Sequence, residues 1–409
     1  MKSLVRQRKP RHERITRINS KVARDINRAI ILNSVRQHQP ISRTKISDIT
    51  RLNKSTVSDI VATLIEEQLL AESPDLRKAI GRNPRNLTVR QGRHFVGAIS
   101  LNSPTTSIAI VDIDGTVRAR SELSTQSDTP RDLIGRSMKK LMMMRASVGT
   151  HQFRGIGVTV AGIVDASQAR VVYSMNLNWE GVDLEALVRE QLADVEIVSA
   201  ENDAKASALA ELLLGTHDLP SNDLVFVSFG VGIGVGATIH GRILNGYSHA
   251  AGELGHMTLV EGGRPCVCGS RGCWEAYASD AAIIDSYLSR KGKAPGRPAP
   301  TTIEDVLRAS NNGEAEARET LSEAAHYAGI GIANLVKAFD PEAVIVAGTP
   351  KLAWDIFRPV IAQSVEKNTR LRHHTPAQVL PSSLTEIPSL LGAASLIIGY
   401  VFTDYRIAV

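Results

Sequence analysis

All three cysteines of this 409-residue chain, Cys266, Cys268 and Cys273, fall within eight positions, and His256 stands ten residues before the first. Three thiolates and one imidazole make the ligand set of a closed, four-coordinate zinc site of the structural kind. Such a site dictates the local fold. The loop must turn back until one ion reaches all four side chains, and Gly269 and Gly272 supply the turns. A disulfide reading fails, because the count is odd and Cys266 and Cys268 are too close in sequence for an unstrained bridge. The remaining alternative is three free thiols in a surface loop.

Charge divides the chain unevenly. Residues 1–92 carry 20 Lys and Arg against 8 Asp and Glu, whereas the remainder is acidic, with 28 against 34. A basic head on an acidic body suits a polyanion that meets the head alone. After about twenty polar, basic residues, Ile26, Ile30, Ile31 and Val35 fall at helical spacing. Pro40 and Ser42 mark a break and an N-cap, and a short helix turns Ile46, Ile49 and Leu52 inward. From Lys54, a second stripe places Val57, Ile60, Val61, Leu64 and Ile65 on one face. This order predicts a helix-turn-helix whose outer face, with Lys54, Ser55, Thr56 and Ser58, enters a major groove. Residues 69–90 predict a hairpin wing whose tip arginines, Arg82 and Arg85 among them, suit a minor groove. A small docking or dimerisation module is the alternative for this region.

Past Gly92, β-like runs alternate with helical ones, which predicts an α/β fold. Strands are expected at Phe95–Ile99, Thr106–Val111, Thr116–Leu123, Ile156–Val160, Val195–Val198, Leu224–Phe229, Val235–Ile239 and Ala343–Val346. Helices are expected at 130–147, 183–193, 203–215, 314–339 and 386–402. No apolar run reaches membrane-spanning length, the N-terminus is unlike a signal peptide, and reduced zinc-binding cysteines fit the cytoplasm.

The stretch Gly252–Glu275, GELGHMTLVEGGRPCVCGSRGCWE, resembles the signature of the ROK family (repressors, open reading frames and sugar kinases). There, G-E-x-G-H leads into C-x-C-G-x-x-G-C-x-E. The resemblance covers nearly all of 93–402, and the head is similar to that of ROK repressors. It implies an N-terminal winged helix-turn-helix joined to a two-lobed, actin-like (ribonuclease-H-like) sugar-kinase fold. The expected domains are a basic flexible arm at 1–22, the DNA-binding domain at 23–92, and a sugar-sensing body at 93–409 with its zinc loop at 256–273.

A sugar presents a ring of hydroxyls and needs carboxylates and amides aimed in fixed directions. Glu201-Asn202-Asp203, at a strand end opening a helix, offers such a set, although Asp203 could equally be an ordinary N-cap. The resemblance implies that Asn202 and Asp203 hold sugar hydroxyls, with Asp203 at the position of the kinase base. Glu253, His256 and Glu275 match the other sugar-contacting positions. His256 would then bind zinc through one nitrogen and a hydroxyl through the other.

ROK kinases cradle phosphate in a D-x-G-G-T turn, where this chain reads Ser100-Leu101-Asn102-Ser103-Pro104. The acidic residue and both glycines are gone, and Pro104 has no N–H to offer. A second glycine-rich loop, Gly230–Gly234, is partly kept. Nucleotide binding is therefore expected to be lost, with no catalytic residue. The chain reads as a sugar-responsive transcriptional regulator, a repressor of carbohydrate-use genes. Its expected partners are operator DNA, a sugar effector and further copies of itself in a homodimer or tetramer, with no membrane. The competing readings are an ATP-dependent ROK sugar kinase that also binds DNA, and a regulator whose body senses a protein.

Overall fold

The computed structural model describes residues 20–74, 85–125, 128–149, 152–219, 221–291, 302–369 and 377–403. It separates into two compact units, residues 1–90 with the chain end from Tyr400, and residues 91–399. Among the described residues, no helix is long and apolar enough to cross a membrane.

The first unit holds helices Ser20–His38, Arg43–Thr50 and Lys54–Glu66, then an antiparallel hairpin of Leu70–Pro74 and Arg85–Val89. Ser42 caps the second helix, its Oγ accepting the Lys45 N–H at 3.3 Å, and Arg51 ends it in a left-handed conformation. Ile31, Leu32, Val35, Ile46, Val57, Ile60, Val61, Leu64 and Leu87 form the core of this unit. Ile30 and Ile49, expected inward, are each 41% exposed; Leu32 takes a buried place instead. Chain-end residues, expected in the body, group with this unit: Phe402 is fully buried, and the Arg36 guanidinium lies 5.8 Å from its ring centre. The wing tip, with Arg82, lies outside the described residues.

In the second unit, two five-stranded sheets repeat one pattern. The first has the spatial order Val198–Asn202, Gln152–Val160, His94–Leu101, Thr105–Asp112, Val117–Ser124. The second has the order Arg242–Ile243, Ile233–Ile239, Leu224–Phe229, Ala343–Gly348, Gln378–Pro381. In each, three consecutive antiparallel strands are extended by two parallel ones. This repeat of strand order marks two related lobes. Each has its own apolar core, one around Trp179, Phe95 and Leu141, the other around Trp274, Phe229 and Phe357.

Helix Asp203–Leu214 leaves the last strand of the first sheet and packs on Ile233–Ile239 of the second. Close approach is possible because Gly234 and Gly236 face it, where a methyl group would overlap Ala204. That helix opens with Asp203, one of the acidic residues of the candidate site. Two features differ from expectation. The strand sought at Val195–Val198 runs instead from Val198 to Asn202, pairing in register with Ile156–Val160. A three-stranded meander, Ile163–Asp165, Arg170–Ser174 and Trp179–Asp183, lies outside the expected strands.

Candidate functional site

The turn Glu253–His256 is built on two glycines pressed against a strand. Gly252 is left-handed at φ 99°, and a methyl there would overlap the Val235 carbonyl. One at Gly255 would overlap that of Ile233. His256 is thereby held beside the cysteine loop, which is pinched by bridges Thr258 to Cys273 and Pro265 to Arg271. Gly269 and Gly272 turn it at φ 89° and 78°.

The result gathers the four expected ligands. The Cys266 Sγ lies 3.5 Å from His256 Nδ1, the Cys268 and Cys273 sulfurs are 3.7 Å apart, and all four ligand atoms lie within 4.8 Å of one another. Zinc bonds of about 2.3 Å to sulfur and about 2.0 Å to nitrogen set tetrahedral edges of roughly 3.5–3.8 Å, so the spacing fits. Burial, reinforced by neighbouring thiols, pushes Cys273 up to about 12, so without a cation this thiol keeps its proton and an ion must displace it on binding. Because Nδ1 faces the sulfurs, Nε2 is left for a second partner. Arg264 ties the loop to the body: its N–H donates to the Tyr277 hydroxyl at 2.8 Å, and its guanidinium lies 4.8 Å from that ring centre.

Across from this loop, Asn202 rather than Asp203 is the N-cap of helix Asp203–Leu214. Its Oδ1 accepts the N–H groups of Ala204 and Lys205, both at 3.0 Å, while Nδ2 donates to the Gly162 carbonyl at 3.0 Å. One Nδ2 hydrogen remains for a ligand. Asp203 Oδ1 accepts the Ala204 N–H at 2.8 Å, which leaves Oδ2 for a hydroxyl. Burial, then the charge of Glu253, raises the Asp203 carboxyl above its ordinary value. Glu275 is committed in part, its Oε2 accepting the Ile233 N–H at 3.0 Å.

Glu201, just before them, is 1% exposed, and burial, opposed by Lys205, pushes its carboxyl up to about 7 from 4.5. The folded state then holds an extra proton between those two values. Its stabilising contribution is complete below the lower value and is lost as pH rises towards the upper one. Glu201→Gln is expected to flatten the melting temperature between about pH 4.5 and 7 and to exceed the native protein above that window. An unchanged slope in thermal melts across this range would dismiss Glu201 as its source.

At the turn where kinases hold phosphate, the polar groups satisfy each other. Ser100 Oγ bonds Ser389 Oγ at 2.8 Å, and Ser103 N–H donates to its neighbour Asn102 Oδ1 at 2.8 Å. In the second glycine-rich loop, Gly230 N–H donates to the Gly232 carbonyl at 3.0 Å. Its carbonyl accepts from Asp280 N–H at 2.8 Å, and the Asp280 carboxylate takes the Thr349 hydroxyl at 2.5 Å.

In the first unit, Lys54 and Ser55 are exposed at the start of helix Lys54–Glu66, and Thr56 and Ser58 are half-buried beside them. Arg85 is 72% exposed but paired with Glu72 at 3.1 Å, and Glu72 also takes Arg43 at 2.8 Å. An exposed pair of this kind is worth at most about 1 kcal/mol, so Arg85 can exchange Glu72 for a phosphate. Sequence reasoning misses Asp165 and Lys205 and treats His249, close by in sequence, as a loop residue. A lysine inside the small, apolar run AKASALA is a legible signal; a pairing of His249 with Asp165 is not.

The sequence pattern of the ROK family matches residues 96–399. A xylose repressor of Bacillus spizizenii is 29% identical over 376 residues, 91% of this chain and 95% of that protein. Among solved structures, a ROK family transcriptional regulator, a homologue of the E. coli MLC protein, superposes with a TM-score of 0.79. It has 24% identity, over 94% of this chain and 98% of that one. A ROK family glucokinase from Streptomyces griseus, in complex with glucose and AMPPNP, has a TM-score of 0.64 and 27% identity, over 74% of this chain and 98% of the other.

Proposed function

This chain belongs to the ROK family, and on that premise we propose that it is a transcriptional repressor released from its operator by a sugar. The observation that carries this reading is a set of polar groups suited to hydroxyls, Asn202, Asp203 and Glu253, with a four-residue candidate metal cluster, in a chain whose kinase-type phosphate turn lacks its acidic residue and both glycines. Full-length similarity to a xylose repressor supports a pentose or related unphosphorylated sugar as effector. The basic head, with Lys54, Ser55, Thr56, Ser58, Arg82 and Arg85, supports operator DNA as partner. A homodimer would present two such heads to a pseudo-palindrome.

In this reading, Asp203 Oδ2 accepts one sugar hydroxyl and the remaining Asn202 N–H donates to another. Glu253, His256 and Glu275 complete the ring. Zinc held by His256, Cys266, Cys268 and Cys273 supplies structural cross-linking and fixes the imidazole tautomer. The sugar must bind the off-DNA state more tightly than the DNA-bound state, and operator and sugar then weaken each other by the same factor.

Fluorescence anisotropy on DNA upstream of its own gene, with added D-xylose, D-glucose and N-acetylglucosamine, tests the reading. The expected result is tight, salt-sensitive binding that one sugar reverses. Binding indifferent to every sugar would remove the sensor role, and ATP-dependent phosphorylation of a sugar would restore the kinase reading.

A further inference from the structure

The segment between strand Arg242–Ile243 and the turn Glu253–His256 is held from two directions, and neither hold belongs to the metal cluster. From helix Asp203–Leu214, the Lys205 ammonium donates to the His249 carbonyl at 2.8 Å and reaches Asn245 Oδ1 at 3.5 Å. From strand Ile163–Asp165 of the other lobe, Asp165 Oδ2 faces His249 Nε2 at 3.6 Å. Asp165 is itself oriented by the Ser167 hydroxyl at 2.6 Å and the Ser167 N–H at 3.0 Å.

Lys205 is unusual company for this site. It is 2% exposed, and the charged groups facing it are Glu201, on the strand before its helix, and Glu253. Burial lowers its affinity for a proton and those two carboxylates raise it. His249 is unusual in its backbone. At φ 63° it occupies the left-handed region, where a residue other than glycine carries strain that surrounding contacts must outweigh. A residue strained in its backbone, bonded at its carbonyl and with its imidazole 3.6 Å from a carboxylate is placed by more than chain connection. Four residues later comes Glu253, whose charge already acts on Asp203.

We propose that Lys205 and His249 are positioning residues of the sugar site, clamping the segment 245–252 between the two lobes so that Glu253 stands in register with Asp203. This inference rests on the sugar-site reading above. Lys205 works through the carbonyl of His249 and Asp165 through its ring, so losing either frees the same segment. The two losses therefore combine to less than their product.

The test is calorimetric titration of the full-length, metal-loaded protein with D-xylose, D-glucose and N-acetylglucosamine. His249→Gly is the informative variant, because glycine accepts φ 63° without strain and keeps the carbonyl for Lys205. It should melt at or above the native temperature and keep its metal, yet bind the sugar about tenfold more weakly, the loss of one charge-assisted contact. Lys205→Met should weaken binding by a similar factor. Lys205→Arg and His249→Gln, which restore a donor at about the same reach, should stay within about threefold of native. Native affinity in His249→Gly would overturn the proposal while leaving the sugar site standing. Equal losses in His249→Gly and His249→Gln would overturn it too, by reducing the effect to packing. If native protein bound no sugar, both the site and the clamp would fall.

Discussion

Stripping the metal, by chelation or by Cys273→Ser, is expected to collapse the loop 256–273 and with it the response to sugar, while operator binding persists. Cys273 is the buried ligand, and its backbone pairs with Thr258. Inside the loop, tight glycine turns and a few backbone bonds hold the chain, and no disulfide ties it. Metal binding in small structural zinc sites is worth on the order of 10 kcal/mol at neutral pH, far more than those contacts supply. In the proposed site His256 is both a ligand and a member of the sugar set, so its imidazole would lose orientation when the ion leaves. Loss of such an orienting partner costs about 10–100-fold. Sugar affinity should therefore fall by about 10–100-fold, together with a lower melting temperature, read by titration and thermal melts beside a metal assay. Operator affinity measured without sugar should change little, since the helix-turn-helix lies in a separate compact unit. Sugar affinity that survives in metal-free protein would take His256 out of its double role.

Asp203→Ala is expected to abolish release from DNA at sugar concentrations that fully release the native protein. The hydroxyl contact to Asp203 Oδ2, worth about 1.5–3 kcal/mol, amounts to a loss of about 10- to 150-fold. The structural cost is small, because Asn202 remains as the helix cap and only the Asp203 bond to Ala204 N–H is lost. Thermal melts should differ little without sugar and diverge strongly with it, since a ligand at free concentration c stabilises the folded state by RT ln(1 + c/Kd) and so less as Kd rises. A native sugar response in Asp203→Ala would place the effector elsewhere in the molecule.

The legible parts of this protein share a short range. The stripe Val57, Ile60, Val61 and Leu64 is buried as its spacing predicts, and Ser42 caps the helix it precedes. The four candidate metal ligands, spread over eighteen residues, come together because Gly269 and Gly272 between them adopt left-handed turns that other residues resist. Apolar periodicity was less reliable where a helix is half-covered. Ile30 and Ile49 satisfy the spacing, yet the neighbouring elements meet another face, so both stay exposed. Short strands such as Ile163–Asp165 escaped notice, because three residues carry too little alternation to be told from a loop.

What the sequence by itself determined is local chemistry: ligand spacing, helix caps, a basic head, and a phosphate turn without glycines. These depend on residues near one another in the chain, and backbone geometry converts their order directly into shape. Only the tertiary structure decided that Asn202 meets Gly162, that Glu275 takes the Ile233 N–H, and that His249 lies between Lys205 and Asp165. Those partners are separated by 40 to 84 positions, and sheet pairing together with the packing of helix Asp203–Leu214 across two lobes sets their distances. No local pattern encodes such a distance, because it is the sum of many contacts, each specified elsewhere in the chain.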